Sequence, residues 1–350
     1  MIKISMLKCG HLFDQSNMFH LVEECKKYDI QIDTDLHDYI FSKDNHLNRS
    51  LIEDKDILLI NNFDILMHDK EHLLSIESLK TTFPNKTIVA FVQELPHYTE
   101  NCVAKQHLAD HIVGTAHPSR VPSIKNYSYF PFPMPSKGIY ENQIQNIKKN
   151  RQILLSGAFR LARAQLYYRL LSEPELDTIL FYTCNRANAT QYEGTDIQYP
   201  VNFKEKFGNK IVTSKDFTNN DYIKIMSESQ LVINFSRQVT RLEGFHCDIY
   251  HNMGQMRHKQ DFEFMSTRVM ECAFTKTTCV SNYDKIYDIS GLKEGIHIVT
   301  YSSYEDLVEK CKTLSAEPEM CIEIGNNLFN HYRDNYTDLH LLQKIKTLIK

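Results

Sequence analysis

Short runs of consecutive apolar residues punctuate this chain, and stretches of helical periodicity separate them. In the first half the runs are Ile2–Leu7, Asp56–Ile60, Thr87–Val92 and His111–Thr115. Apolar residues on consecutive positions suit parallel strands covered on both faces. Between the first two runs, Met18–Cys25 carries apolar residues at helical spacing and reads as an amphipathic helix. The alternation is that of βαβ units and predicts a doubly wound α/β domain. The proline-rich Tyr129–Pro135 must be extended and suits an edge, on the approach to a linker.

The pattern restarts after the charged run Gln145–Arg151. Ile153-Leu154-Leu155 opens a second series, with a helix through Leu171 and strands at Thr178–Thr183, Lys210–Thr213, Leu231–Phe235, Thr278–Ser281 and Ile296–Tyr301. Helices fill 219–227, 266–275, 303–314 and 317–332. Leu339–Lys350 is a final amphipathic helix with no obvious partner in its own domain. The division expected is an N-terminal domain over 1–145, a second over 146–337, and a closing helix over 338–350.

The composition of the 350 residues changes this picture little. A net charge of −4 lacks the strongly basic balance of a dedicated DNA binder. Nine cysteines without a Cys-x-x-Cys pair fit reduced thiols better than a disulfide framework or a zinc site. No apolar run approaches the roughly 20 residues that span a bilayer, so a cytoplasmic protein is expected.

Two places carry candidate chemistry. Ser156-Gly157-Ala158-Phe159-Arg160, with Arg163 just beyond, follows a strand and opens a helix. A glycine there lets a ligand approach the backbone, a helix start attracts an anion, and arginine forks suit a diphosphate. The second place is the segment from Glu263 to Glu271. Its two carboxylates stand eight positions apart around Ser266, Thr267 and Arg268. Arg268 and Glu271 share one helix face, where a cation can meet phosphate and a carboxylate can accept ribose hydroxyls; an ordinary intrahelical ion pair is the plainer reading. Between these places, Arg237–Lys259 is rich in basic residues, with Arg257, His258 and Lys259 consecutive. Such a loop suits an anionic acceptor. A metal held by His246, Asp248 and His251 matches no familiar ligand spacing. His97 and His117 follow strands of the first domain, where an imidazole can take a proton.

The Glu263–Glu271 spacing resembles the Glu-x7-Glu region of two-domain, GT-B type glycosyltransferases. The tail from Gly295 through Tyr304-Glu305-Asp306-Leu307 to Tyr336-Thr337 resembles the end of the spore-maturation-protein-like group of these enzymes. Locally, Ser156–Arg160 and Arg268-Val269-Met270-Glu271 also resemble the phage DNA β-glucosyltransferases. The resemblance implies two Rossmann-like domains facing each other across a cleft, with the last helix returning to the first domain. It implies transfer of a sugar from a nucleotide diphosphate sugar, UDP-linked by expectation. Gly157, Arg160, Arg163, Ser266, Thr267 and Arg268 would hold the donor diphosphate, and Glu271 the ribose. The phage-type catalytic aspartate is missing from Phe91–Pro96, which leaves Glu94 as the base of an inverting reaction. Glu263 beside the donor sugar would instead serve a retaining one. No cofactor is required on this reading, a divalent cation assisting diphosphate release being the optional addition. The acceptor is open among a glycan, a lipid phosphate and a modified DNA base. A non-catalytic nucleotide-sugar-binding protein is the alternative from another class.

Overall fold

A computed structural model describes residues 1–7, 23–33, 52–61, 80–92, 103, 106–136, 147–156, 161–183, 206–214, 219–235 and 265–348. The chain forms two compact units. The first comprises Met1–Ile139, Phe262–Ser266 and Tyr332–Lys350, and the second Tyr140–Asp261 and Thr267–His331.

The first unit is built on six parallel strands: β1 (Ile2–Leu7), β2 (Ile30–Asp33), β3 (Ile57–Asn61), β4 (Thr87–Val92), β5 (His111–Gly114) and β6 (Tyr127–Tyr129). Their spatial order is β2-β1-β3-β4-β5-β6. The continuous apolar runs are buried as expected, with Ile57, Leu58, Ile88, Val89, Ala90, Phe91 and Val92 at 0% exposure. Two strands go beyond the sequence expectation. Ile30–Asp33 offers only two apolar positions in alternation, and Tyr127–Tyr129 is half-buried. Both lie at sheet edges, where a strand is covered less completely. Of the helix expected over Met18–Cys25, only the turn from Glu23 lies within the described residues.

The proline-rich segment is extended and does more than lead to a linker. Phe130, Phe132 and Met134 are buried. The Met134 N–H donates to Tyr336 O at 2.8 Å, and the Asp338 N–H returns to Met134 O at 3.0 Å. This clasp seats the last helix, Asp338–Thr347, in the first unit. Its start is a capping box: Thr337 Oγ1 accepts from the His340 N–H, and His340 Nδ1 accepts from the Thr337 N–H. Leu339, Leu341, Leu342 and Ile345 then pack into one core with Ile4, Ile57, Leu59, Val89, Phe91 and Val113.

Asp338 is buried at this junction, with Oδ1 accepting the Ser136 N–H at 3.0 Å and the Leu339 N–H at 2.7 Å. Burial outweighs those bonds and pushes its carboxyl up from 3.8 to about 6. A folded-state value above the unfolded one makes this group's contribution full below about pH 4 and lost as pH rises through about 6. Two units correspond to about 3 kcal/mol as an upper bound. Asp338→Asn keeps an oxygen for Ser136 and removes the titration. In urea melts at pH 4, 5, 6 and 7 the parent is expected to lose stability relative to the variant as pH rises; parallel pH profiles would refute the assignment.

The second unit repeats the plan. Its strands β7 (Arg151–Ser156), β8 (Thr178–Thr183), β9 (Ile211–Ser214), β10 (Ser229–Asn234), β11 (Thr278–Asn282) and β12 (Val299–Tyr301) are parallel in the order β12-β11-β10-β7-β8-β9. Six helices are described with them: α1 (Leu161–Ser172), α2 (Asn219–Ser227), α3 (Thr267–Phe274), α4 (Ile286–Ile289), α5 (Tyr304–Ala316) and α6 (Pro318–Asn335); the C-terminal helix above is α7. Leu155, Leu166, Leu170, Leu231, Ile233, Val280, Tyr301, Leu307, Cys311 and Ile324 share one core.

The last strand starts later than expected. Gly295 adopts φ +71° and its N–H bonds Ile298 O, so Ile296 and His297 lie in a turn and the strand begins at Val299. Lys149, in the charged run, is not a solvated linker residue. Its Nζ donates to Thr277 Oγ1 at 2.7 Å and Thr275 O at 3.3 Å, and burial pulls its ammonium down to about 7. Gly325 on α6 faces the turn after α3 so closely that a Cβ would sit 2.4 Å from Lys276 O.

Candidate functional site

In the second sheet β7 has β8 on one side and β10 on the other, so the strand order reverses at β7. Ligands of doubly wound sheets bind outside the carboxyl ends of the strands at such a reversal. Ser156 ends β7 there, and α3 brings its first turn to the same place.

Helix α3 has eight residues and a sharply divided surface. Val269, Cys272, Ala273 and Phe274 are buried, whereas Arg268 and Glu271 stand on the partly exposed side. It ends on Lys276 at φ +52°, with the Thr277 N–H bonded to Cys272 O and the Lys276 N–H to Ala273 O. Those two bonds close the helix as a Schellman turn and deliver the chain into β11. The opposite end leaves the first N–H groups, from Thr267 onward, without intrahelical partners.

Arg268 and Glu271 do form the expected i,i+3 ion pair, Nη1 to Oε2 at 3.0 Å, with side-chain exposures of 15% and 25%. Their contacts do not stop at the helix. Arg268 Nη2 donates to Ser156 O at 3.3 Å, a carbonyl that also accepts the Tyr167 hydroxyl of α1 at 2.6 Å. Tyr222 of α2 donates its hydroxyl to Glu271 Oε2 at 2.8 Å. The Arg268 guanidinium carbon lies 5.3 Å from the Tyr222 ring centre, within cation–π range. Phe181 of β8 packs against the Tyr222 ring, with ring centres 6.0 Å apart at 30°. One guanidinium and one carboxylate are thus held by four elements of the second unit. A solvated helix pair has no such support.

The site offers an anion a guanidinium and a helix start, and offers hydroxyl groups a carboxylate. Cys272, beside Glu271 in sequence, is fully buried, and burial raises its thiol well above the ordinary value. It is therefore not an activated nucleophile.

Of the residues singled out from sequence, Ser266, Thr267, Arg268 and Glu271 come together at the start of α3. Arg163 lies in the first turn of α1, its side chain outside the description. Glu94, His97, Gly157, Arg160, Arg257, His258, Lys259 and Glu263 lie outside the described residues, as do His246, Asp248 and His251. His117 has a local occupation: its Nδ1 contacts Ser119 Oγ at 2.7 Å and accepts the Ser119 N–H at 3.2 Å, capping the short turn Pro118–Arg120. Among the described residues no group of three or more His, Cys, Asp or Glu is placed to hold a metal ion. No described helix is long and apolar enough to cross a membrane.

Sequence reasoning missed Tyr222. It belongs to the amphipathic stretch Asn219–Ser227, where an aromatic reads as packing, and nothing in its spacing ties it to Glu271.

Comparison with known proteins places these observations. Residues 187–347 match the model of a glycosyl transferase-like family. The fold is of the GT-B type. No curated protein sequence matches it. Among solved structures, the fold is similar to that of Anabaena HepE in complex with UDP and glucose: TM-score 0.57, 10% identity, 99% of each chain covered. It is similar also to a sucrose-phosphate synthase from Thermosynechococcus elongatus, with TM-score 0.55, 9% identity, and 99% of this chain and 98% of that one covered. A UDP-GlcNAc 2-epimerase from Neisseria meningitidis bound to UDP-GlcNAc matches at TM-score 0.50 and 9% identity, covering 99% and 100%. At such identities the likeness is one of fold.

Proposed function

We propose that this glycosyltransferase uses a UDP-sugar donor, bound at the carboxyl end of β7 with its uridine diphosphate against α3. The observation that carries the reading is the cluster of Arg268, Glu271, Tyr222 and Ser156, built from three elements around the opening of one helix. Two proteins of the same fold are bound to UDP or to a UDP-sugar, which supports uridine as the base.

In this reading Arg268 and the N–H groups of Thr267 and its neighbours take the diphosphate, together with Ser266, Gly157, Arg160 and Arg163. Glu271 accepts the ribose hydroxyls. As the acceptor oxygen attacks the anomeric carbon, the bond from that carbon to the diphosphate breaks and its electrons pass to the leaving phosphate. Fixed positive groups stabilise the charge that develops there. The acceptor's proton passes to a base, Glu94 or His97. Arg257, His258 and Lys259 approach an anionic acceptor, whether a phosphorylated glycan, a lipid phosphate or a modified base in DNA.

The test is a thermal-shift series over nucleoside diphosphates and UDP-sugars, followed by donor hydrolysis without acceptor. UDP at about 100 times its dissociation constant is expected to add about 2.7 kcal/mol of stability. No shift with any nucleoside diphosphate would defeat the reading. Binding without any hydrolysis would favour a nucleotide-sugar-binding protein that keeps the fold.

A further inference from the structure

We propose that Tyr222 is a positioning residue for the donor nucleotide: its hydroxyl fixes the Glu271 carboxylate in the orientation that distinguishes ribose from deoxyribose. The inference rests on the reading of Glu271 as the ribose acceptor and adds the group that makes that acceptor selective.

A glutamate on a helix turns about three side-chain torsions, and its ion pair with Arg268 on the same helix leaves the carboxylate plane able to swing. Tyr222 removes that freedom because it comes from another element. Its hydroxyl reaches Oε2 at 2.8 Å, while its ring is set by Phe181 at 6.0 Å and faces the Arg268 guanidinium at 5.3 Å. The same hydroxyl lies 3.5 Å from Ser156 Oγ, which ties it to the end of β7.

The Tyr222 bond and the Arg268 ion pair both fall on Oε2. A carboxylate has about four acceptor positions on its two oxygens, so the Tyr222 hydrogen bond orients the group and leaves positions for a ligand's hydroxyls. Two vicinal hydroxyls donating to one carboxylate require its plane to be fixed, since charge-assisted hydrogen bonds depend on direction. A site arranged to receive a hydroxyl penalises a ligand that lacks it.

Titration calorimetry with UDP and 2′-deoxy-UDP tests the assignment in the full chain. The parent is expected to prefer UDP about tenfold or more, the value of one hydrogen bond to a charged group. Tyr222→Phe retains the ring beside Phe181 and Arg268 and is expected to reduce that preference several-fold. Glu271→Gln is expected to reduce it as well, and the double variant to match Glu271→Gln alone, because the hydroxyl acts through the carboxylate. A merely structural role would lower the melting temperature or weaken both ligands together, leaving their ratio unchanged. Tyr222→Phe with the parent ratio, while Glu271→Gln loses it, overturns the role of Tyr222 and leaves the ribose reading intact. An unchanged ratio in Glu271→Gln overturns the ribose reading, and the inference with it.

Discussion

Arg268→Ala is expected to weaken UDP binding by about tenfold to 150-fold, the consequence of losing about 1.5–3 kcal/mol from hydrogen bonds to a charged group. The guanidinium is anchored to Ser156 O and beside the Tyr222 ring, so its charge stays at the helix opening. Its proposed partner is phosphate, and uridine carries none. Affinity for uridine should therefore fall far less than affinity for UDP. Arg268→Lys should recover only part of the loss, because an ammonium supplies a point charge without the planar fork. The fold should survive, since the apolar face of α3 rests on Val269, Cys272, Ala273 and Phe274. Equal losses for uridine and UDP would show that Arg268 acts by holding Glu271 and not by binding phosphate.

Larger still is the loss expected at the reacting carbon. General acid–base assistance contributes about 100-fold to 10,000-fold to a rate, and removing the base should cost that range. If Glu94 takes the acceptor's proton, Glu94→Gln abolishes transfer, spares UDP affinity, and the product has inverted anomeric configuration. If the reaction proceeds with retention, Glu263→Gln carries the loss and Glu94→Gln is mild. We expect retention, because the Glu263–Glu271 spacing is intact and the phage-type aspartate has no counterpart in Phe91–Pro96. Product configuration by NMR, measured beside both variants, decides. Retention with fully active Glu263→Gln would remove both carboxylates from the mechanism.

The parts of this fold legible in sequence are those whose burial is complete. Thr87–Val92 and Thr278–Ser281 are apolar or small on successive positions because both faces of each sheet are covered; the first was readable to the residue and the second to within one, its strand ending at Asn282. Edge strands such as Ile30–Asp33 have one open side and lack that pattern. The Glu271–Arg268 pair was legible because both members lie one turn apart on a single helix. Tyr222 was not, because its link to Glu271 crosses from α2 to α3, and sequence order gives no distance between different helices. The turn at Gly295 was hidden for a similar reason: Ile296 and Ile298 invite a strand, and one positive φ forbids it.

The return of the last helix to the first sheet has a consequence for synthesis. The side chains that pack on Ile4, Ile57, Leu59 and Val89, namely Leu341, Leu342 and Ile345, are made about 250 residues after Val89. Translation proceeds at about 5–20 residues per second, so the opening sheet waits tens of seconds with an apolar face uncovered. The described strands of the second unit, by contrast, all lie between Arg151 and Tyr301 and are made before that helix. The first sheet thus completes this core only once the helix Asp338–Thr347 has been made.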